Sequence, residues 1–162
     1  MINVKLIRNR EIPTSWNIIT NWNTLCAEEK LSEEILREFA HKINWSLTSI
    51  HQSLSEDFII EYQDKVNWNY ICYHQNLSEE FILRFEDKIH WNQLITSNNT
   101  EHLSESLIRE YQHKVNWHYI STYKNISKDF LIKFQDKIDL EVLLYNVNTS
   151  NEIKEFSKTI IN

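Results

Sequence analysis

The sequence predicts an all-α protein, an αα-repeat solenoid of five to six short helix-turn-helix units with capping ends. The first observation is a Leu-Ser-Glu motif, or a close variant, that recurs at intervals of 23, 23, 26 and 23 residues. The second is a tryptophan fourteen residues after the start of each of the first four units. A fixed period with one supersecondary unit per repeat is typical of solenoids, in which each unit buries its apolar face against its neighbours.

The third observation is that the 162 residues include no glycine and one proline. An average chain of this length would hold roughly 11 glycines and 8 prolines. A phosphate-cradling loop, a dinucleotide-binding fingerprint and a glycine nucleophile elbow all need backbone conformations that only glycine adopts easily. The composition therefore excludes these classes of enzyme.

The repeat spacing predicts a single domain over residues 1–162. Its parts are an N-terminal cap with a degraded repeat (1–30), five repeats (31–53, 54–76, 77–102, 103–125 and 126–148) and a C-terminal capping helix (149–162). The degraded repeat is indicated by Asn21-Trp22, which stands 23 residues before Trp45, and by Pro13, Thr14 and Trp16 upstream. Residues 2–7 fit an edge strand or an extended packing segment. The three extra residues near 98–102 predict a longer surface loop.

Each repeat is predicted to begin with a short first helix. A serine stands at every N-cap position, where its hydroxyl can accept from amides of the first turn, and acidic residues mostly follow. The preceding Leu or Ile would pack as a hydrophobic staple. A lysine is expected in the last turn, where positive charge suits the carbonyl end of a helix. The serines are Ser32, Ser55, Ser78, Ser104 and Ser127, and the lysines are Lys42, Lys65, Lys88, Lys114 and Lys137.

A second, shorter helix is predicted to begin at the tryptophan, or at Leu140 in the last repeat. Its N-cap residues are Asn44, Asn67, His90, Asn116 and Asp139, and its inward residues include Ile71, Leu94, Ile120 and Leu143. Asparagines such as Asn76 and Asn125 connect to the next repeat, and we expect them to supply the left-handed conformation that a helix end needs. A final helix after Ser150 should bury Ile153, Phe156 and Ile160 and expose Lys154, Glu155 and Lys158.

The repeat resembles a short α-helical repeat of the form LSExFIxxFxDKVNWxxIS that occurs in large DNA viruses, phages and AT-rich bacteria. The resemblance covers residues 31–145 and rests on the Leu-Ser-Glu start, the aromatic, the Asp-Lys pair and the Asn-Trp pair, as in LSEDFIIEYQDKVNW. The last repeat departs from it, with Lys128 in place of Glu and Leu140 in place of Trp. The resemblance implies a non-catalytic interaction scaffold, a viral inhibitor or adaptor of a host factor, for example a defence factor such as a CRISPR effector.

The net charge and the hydrophobicity pattern limit the classes of partner and the cellular location that we expect. The formal charge is −6 and the pI is near 5.6, so direct nucleic-acid binding, which depends on clustered Lys and Arg, is not expected. No apolar run approaches the roughly 18 residues of a membrane span. The two cysteines and the polar start predict reduced thiols and a cytoplasmic location, the host cytoplasm if the protein is viral.

Two ligand hypotheses compete with structural interpretations. The tryptophans could stack bases as single-strand binders do, but the interpretation that each is a core wedge between repeats is favoured. His51 and His74 occupy equivalent positions, and His113 and His118 flank a helix junction, but neither pair has further ligands at a zinc spacing. We therefore predict no metal, no cofactor and no catalytic site. Cys72, whose equivalents are Ser49, Ile95, Ser121 and Leu144, is expected to be a packing residue.

The predicted function is protein binding through an exposed face. Stacked repeats would align a row of carboxylates, which serves either as helix-start electrostatics or as a strip for a protein partner with a basic surface. The alternative function is an acidic nucleic-acid mimic that blocks a DNA- or RNA-binding protein. Self-association is a further outcome if an end cap is imperfect. The candidate binding residues are Tyr70, Tyr73, Tyr119, Tyr123, Arg37, Arg109, Glu33, Glu56, Glu79 and Glu105.

Overall fold

The structure, a computed structural model, describes residues 21–96 and 103–161, and within these ranges every regular element is an α-helix. The helices are α1 (Trp22–Glu28), α2 (Glu33–Glu38), α3 (Trp45–His51), α4 (Glu56–Glu61), α5 (Trp68–His74), α6 (Glu79–Arg84), α7 (Trp91–Thr96), α8 (Glu105–Glu110), α9 (Trp117–Tyr123), α10 (Lys128–Lys133), α11 (Leu140–Tyr145) and α12 (Asn151–Ile161). The predicted αα-repeat solenoid is confirmed.

Several predictions fall on residues outside these ranges. They are the segment 2–7, the part of the degraded repeat that contains Pro13, Thr14 and Trp16, and the inserted loop at 98–102. The chain divides into two compact units, the first ending at Asn67 and the second beginning at Trp68. The division falls inside the 54–76 repeat, between its two helices, and the prediction of a single domain stays a prediction. No helix in the described ranges is long and apolar enough to cross a membrane.

The first helices begin where the serines predicted. Each serine hydroxyl accepts a hydrogen bond from the amide three residues later, over 3.1 to 3.5 Å. The pairs are Ser32 with Ile35, Ser55 with Phe58, Ser78 with Phe81, Ser104 with Leu107 and Ser127 with Phe130. A serine at this position is typically worth about 1 kcal/mol, because it satisfies an amide that has no partner within the helix.

The first helices are shorter than predicted, and this moves the lysines. Each of them has six residues and ends directly before the aromatic residue of the repeat motif. The lysine therefore lies in the turn that follows the helix. There its backbone N–H donates to the carbonyl of the aromatic three residues earlier, as in Lys42 to Phe39 at 2.8 Å. The prediction of a lysine in the last helical turn was therefore wrong.

The backbone conformations at the helix ends show why the C-cap positions do not need glycine. The C-cap residues Gln52, Lys124 and Asn146 of second helices are extended, with φ of −93°, −88° and −65°. The aromatics that end the first helices, such as Tyr62 with φ −114° and ψ 29°, lie in the bridge region. These C-caps do not use the left-handed conformation, so glycine has no advantage there. The left-handed conformation expected of Asn76 and Asn125, in the connections that follow, stays a prediction.

In the first unit, α1 packs against α3, and α2 and α4 contribute buried apolar side chains to the core. Leu25, Leu36, Phe58 and Ile59 are at most 1% exposed. Burial of side chains of this size contributes about 1.5 to 3 kcal/mol each, an upper estimate because unfolded chains already bury some surface.

In the second unit the second helices form a continuous row, with α5 against α7, α7 against α9 and α9 against α11. Their predicted inward residues Ile71, Leu94, Ile120 and Leu143 are fully buried. The row ends at α12, which packs on α11. As predicted, α12 buries Ile153 and exposes Glu155 and Lys158, whereas Phe156, Ile160 and Lys154 are half-buried.

Candidate protein-binding surface

The tryptophans link successive repeats. In the first unit the Trp22 ring lies 4.7 Å from Phe39 and the Trp45 ring 4.9 Å from Tyr62, in each case an aromatic of the following repeat. The second unit repeats this arrangement, in the pairs Trp68 with Phe85, Trp91 with Tyr111 and Trp117 with Phe134. The interpretation of the tryptophans as wedges between repeats is confirmed, and the ring faces that would stack bases are used in packing.

The lysines of the motif complete these contacts. Lys65, Lys88 and Lys137 place their ammonium groups 5.4 to 5.7 Å from the centroids of Trp45, Trp68 and Trp117, the tryptophans of the preceding repeat. Such cation–π contacts contribute about 0.5 to 1 kcal/mol at exposed sites. The position after the helix end, which the sequence analysis misplaced, therefore has a structural role between repeats.

The acidic row also points to neighbouring repeats. The Glu33 carboxylate accepts from the backbone N–H of Ser55 at 2.7 Å, and that of Glu79 accepts from Ser104 at 2.6 Å. The next carboxylate, that of Glu105, accepts from the backbone N–H and the hydroxyl of Ser127 at 2.5 and 2.8 Å. Glu56 is engaged as well. Each of these three glutamate–serine pairs joins the start of one first helix to the N-cap serine of the next.

The candidate arginines are held by similar contacts. The Arg37 guanidinium lies 2.7 Å from the Glu61 carboxylate and 5.0 Å from the centroid of Phe58, both in the following repeat. The hydrogen bond from Arg37 lowers the pKa of Glu61 below its usual value. Arg109 pairs with Glu105 at 3.5 Å and lies 5.0 Å from the Phe130 centroid. Both arginines therefore already bridge repeats within the protein.

Two buried side-chain amides, those of Gln52 and Asn146, each hold the end of a preceding helix by hydrogen bonds, and the sequence analysis missed both. We call each of these arrangements an amide clamp. Gln52, only 4% exposed, donates to the carbonyls of Cys26 and Glu29 and accepts from the amide of Leu31. Asn146, at 3% exposed, donates to the carbonyls of Ser121 and Lys124. In both cases the amide satisfies carbonyl groups at the end of the preceding second helix. The recurrence of glutamine 23 residues later, at Gln75, was the signal that could have revealed the first clamp.

A small buried residue on the second helix makes another link. The Ser49 hydroxyl accepts from the amide of Asn67 at 3.1 Å, and the Ser121 hydroxyl accepts from Asp139 at 2.9 Å. At the equivalent position, the Cys72 thiol accepts from the amide of His90 at 3.4 Å. Burial raises the pKa of the Cys72 thiol to about 11, so it stays protonated near neutral pH. Cys72 is thus a buried packing residue, as expected, and also a weak hydrogen-bond acceptor.

The four candidate tyrosines lie on the exposed side of α5 and α9. Tyr70, Tyr73 and Tyr123 are 37%, 41% and 42% exposed, and Tyr119 is half-buried. Tyr70 and Tyr119 occupy equivalent positions of their repeats, and Gln93 takes that position on α7, which contacts both helices. We call Tyr70, Tyr73, Gln93, Tyr119 and Tyr123 the tyrosine face. The candidate tyrosines thus lie on two helices of one row, α5 and α9, with α7 between them.

In the second unit, the helices that carry the tyrosine face differ in charge from the first helices. The first helices α6, α8 and α10 each carry three charged side chains. The second helices α5, α7 and α9 contain no Asp, Glu, Lys or Arg, whereas the second helix α11 carries Glu141. The exposed residues of α5, α7 and α9 are tyrosine, asparagine and histidine. The tyrosine face is therefore a polar aromatic surface without formal charge.

An open cleft borders the tyrosine face. It has a volume of about 330 Å³ and is lined by Asn69, Ile89, His90, Trp91, Asn92, Gln93 and Lys114. The only one of these with a fixed charge is Lys114, whose ammonium lies 3.8 Å from the Glu86 carboxylate. The Trp91 indole N–H has no acceptor and is hidden from solvent. Amide groups thus dominate the part of the wall that a ligand could reach.

Two of the histidines contact a neighbouring side chain. The His74 ring meets the edge of Tyr73 at 4.7 Å, and His118 Nδ1 lies 3.8 Å from Asp139 Oδ2. Within the part of the chain that the structure describes, no group of three or more His, Cys, Asp or Glu side chains could hold a metal ion.

Comparison with known proteins adds no relative: no protein-family model, no curated protein and no solved structure matches this chain. The family resemblance in the repeat motif stays a prediction.

Proposed function

We propose that this protein is a non-catalytic repeat scaffold that binds another protein through the tyrosine face. The observation that carries the proposal is the contrast between the two kinds of helix. The carboxylates and arginines of the first helices are engaged between repeats, whereas α5 and α9 present tyrosines to solvent. Among the candidate residues, Tyr70, Tyr73 and Tyr123 are exposed, whereas the others are half-buried.

The composition of the tyrosine face supports this role. Protein interfaces are enriched in tyrosine and depleted of charge at their centres, and tyrosine is among the residues that most often dominate binding energy. A tyrosine also supplies a large contact area at a low cost in conformational entropy. Because the face is built on a row of packed helices, little ordering is needed on binding.

The other predictions receive less support. An acidic nucleic-acid mimic would need carboxylates that are free to meet a basic surface, and those of Glu33, Glu79 and Glu105 are bonded to serines of the next repeat. A host protein as the partner, in the host cytoplasm, is proposed on the resemblance of the motif alone. The experiment below tests the host-protein partner by using a lysate of the candidate host.

The test is partner capture with matched variants. The full chain is immobilised and exposed to a lysate of the candidate host, and bound proteins are identified by mass spectrometry. A Tyr70→Ala/Tyr119→Ala variant should lose the captured partner. A Leu83→Ala/Ile132→Ala variant removes similarly exposed apolar side chains, 43% and 47% exposed, from the first helices and should retain it.

Folding is verified for both variants by circular dichroism and urea unfolding. If the tyrosine variant keeps the native fold and still captures the same partner, the tyrosine face is not the binding surface. Loss of the partner in the Leu83/Ile132 variant alone would place the surface on the first helices instead.

A further inference from the structure

We infer that the tyrosine face recognises an uncharged, extended segment of its partner rather than a basic surface. This inference rests on the proposed function and names the chemistry of the partner. It follows from three features of the second unit: the absence of charge on α5, α7 and α9, the exposed tyrosines, and the amide-lined cleft beside them.

The absence of charge disfavours a charged partner. A lysine or arginine of the partner that is buried on the tyrosine face would lose its hydration, and α5, α7 and α9 hold no carboxylate to replace it. Burying an unpaired charge costs several kcal/mol. The Glu79 carboxylate on α6 accepts from the Ser104 amide, and the Asp139 carboxylate beside α9 lies 3.8 Å from His118 Nδ1. Charge complementarity therefore selects a neutral segment.

The polar groups of the face match a polypeptide backbone. Tyrosine hydroxyls and the side-chain amides of Asn92 and Gln93 each donate and accept hydrogen bonds, as peptide N–H and C=O groups do. The tyrosine rings offer apolar surface for aliphatic or aromatic side chains. A neutral segment with a few apolar anchors satisfies both kinds of group.

The cleft gives this segment a place to bind. Its volume of about 330 Å³ is at the small end of the range for ligand pockets, enough for an anchor side chain and its backbone. Asn69 is adjacent to Tyr70 in the sequence, and Gln93 belongs both to the cleft wall and to the tyrosine face. Lys114 does not require an anion, because Glu86 already lies 3.8 Å from its ammonium. One extended segment can thus contact the face and the cleft together.

The test is selection from a phage library of random peptides on the immobilised full chain. We expect enrichment of peptides with aromatic or aliphatic anchors and without Lys, Arg, Asp or Glu. The Kd of a selected synthetic peptide should change less than about two-fold between about 0.05 and 0.5 M NaCl, because screening acts on charged contacts. Enrichment of basic peptides with steeply salt-dependent binding would overturn the inference, as would the absence of any enriched peptide.

Variants locate the peptide on the surface. Asn92→Leu and Gln93→Leu should each weaken the selected peptide by about ten-fold or more, which corresponds to the loss of one or two hydrogen bonds. Gln135→Leu changes an exposed glutamine outside the face and should leave the Kd unchanged. Equal binding by all three variants would overturn the inference.

The outcome is separable from that of the proposed function. If basic peptides are selected but depend on Tyr70 and Tyr119, the face binds protein and only its chemistry is wrong. If the Tyr70→Ala/Tyr119→Ala variant captures the same partner from the lysate as the wild type does, the proposed function itself fails.

Discussion

The Glu105 carboxylate accepts hydrogen bonds from both the backbone N–H and the hydroxyl of Ser127, the N-cap serine of the next repeat. The same serine hydroxyl accepts from the amide of Phe130 and starts α10. One residue therefore both begins its own helix and fixes that helix to its predecessor. Glu33 with Ser55 and Glu79 with Ser104 repeat the backbone part of this contact.

Removal of this carboxylate should destabilise the protein. We expect Glu105→Ala to lower the free energy of unfolding by about 1 to 2 kcal/mol, because hydrogen bonds to a charged group are lost and the Ser127 amide is left without its acceptor. Urea unfolding followed by circular dichroism measures the change. Glu110→Ala, at an exposed position of the same helix, is the control and should cost less than about 0.5 kcal/mol. If both variants lower the free energy of unfolding equally, the carboxylate–serine contact does not contribute to stability.

The buried amide clamp should matter more. Gln52→Leu keeps a similar volume but leaves the carbonyls of Cys26 and Glu29 and the amide of Leu31 without partners in a buried site. We expect a loss of about 3 kcal/mol or more in the free energy of unfolding, measured in urea. Gln63→Leu is the control, since the Gln63 side chain is half-buried and bonds to Ile60 in its own repeat. A Gln52→Leu variant as stable as this control would contradict the clamp.

Cys72 should be replaceable by serine. Ser49 and Ser121 hold the equivalent positions, donate to Trp45 and Trp117 and accept the amide of the next N-cap residue. Cys72→Ser is therefore expected to change the free energy of unfolding by less than about 1 kcal/mol, whereas Cys72→Ala leaves the His90 amide without an acceptor and costs more than Cys72→Ser. Thermal and urea unfolding of both variants test the order. The reverse order would show that volume, and not hydrogen bonding, decides the position.

Tyr111 should link stability to alkaline pH. Its hydroxyl donates to the Glu86 carboxylate at 2.8 Å, and this hydrogen bond, together with burial, raises the pKa of Tyr111 from 10.0 to about 12. Below pH 10 the phenol is protonated in the folded and unfolded chains, so its contribution is fully present. As the pH rises to about 12, the unfolded chain loses this proton first and the contribution is lost.

The stability difference between the wild type and Tyr111→Phe should therefore shrink between about pH 10 and pH 12. Chemical denaturation at several pH values measures it, and the comparison cancels the titration of the other tyrosines and the lysines. A constant gap for Tyr111→Phe would contradict the raised pKa.

Local sequence patterns predicted the repeat well. The serine N-caps, the tryptophan positions and the inward residues Ile71, Leu94, Ile120 and Leu143 all depend on contacts within a few residues or on helical periodicity, which the sequence displays directly. The helix ends were less accurate, because the bridge conformation after Glu38 or Glu61 has no residue signature as plain as a serine cap.

The partners of polar side chains were decided by stacking. An acidic residue in a first helical turn has the same local pattern whether its carboxylate faces water or the next repeat, so Glu33 and Glu105 gave no local sign of their serine partners. The same holds for Gln52 and Arg37, whose bonds reach residues more than 20 positions away. Sequence separation of that size is bridged only when repeats pack.

The amino-acid sequence by itself determined the repeat, its helices and its buried stripe, because these follow from periodicity and capping chemistry. Only the tertiary structure decided which candidate residues stay exposed. Packing the repeats brings carboxylates, arginines and buried amides within hydrogen-bonding distance of their neighbours, while the side chains of Tyr70, Tyr73 and Tyr123 stay exposed, on helices without charge.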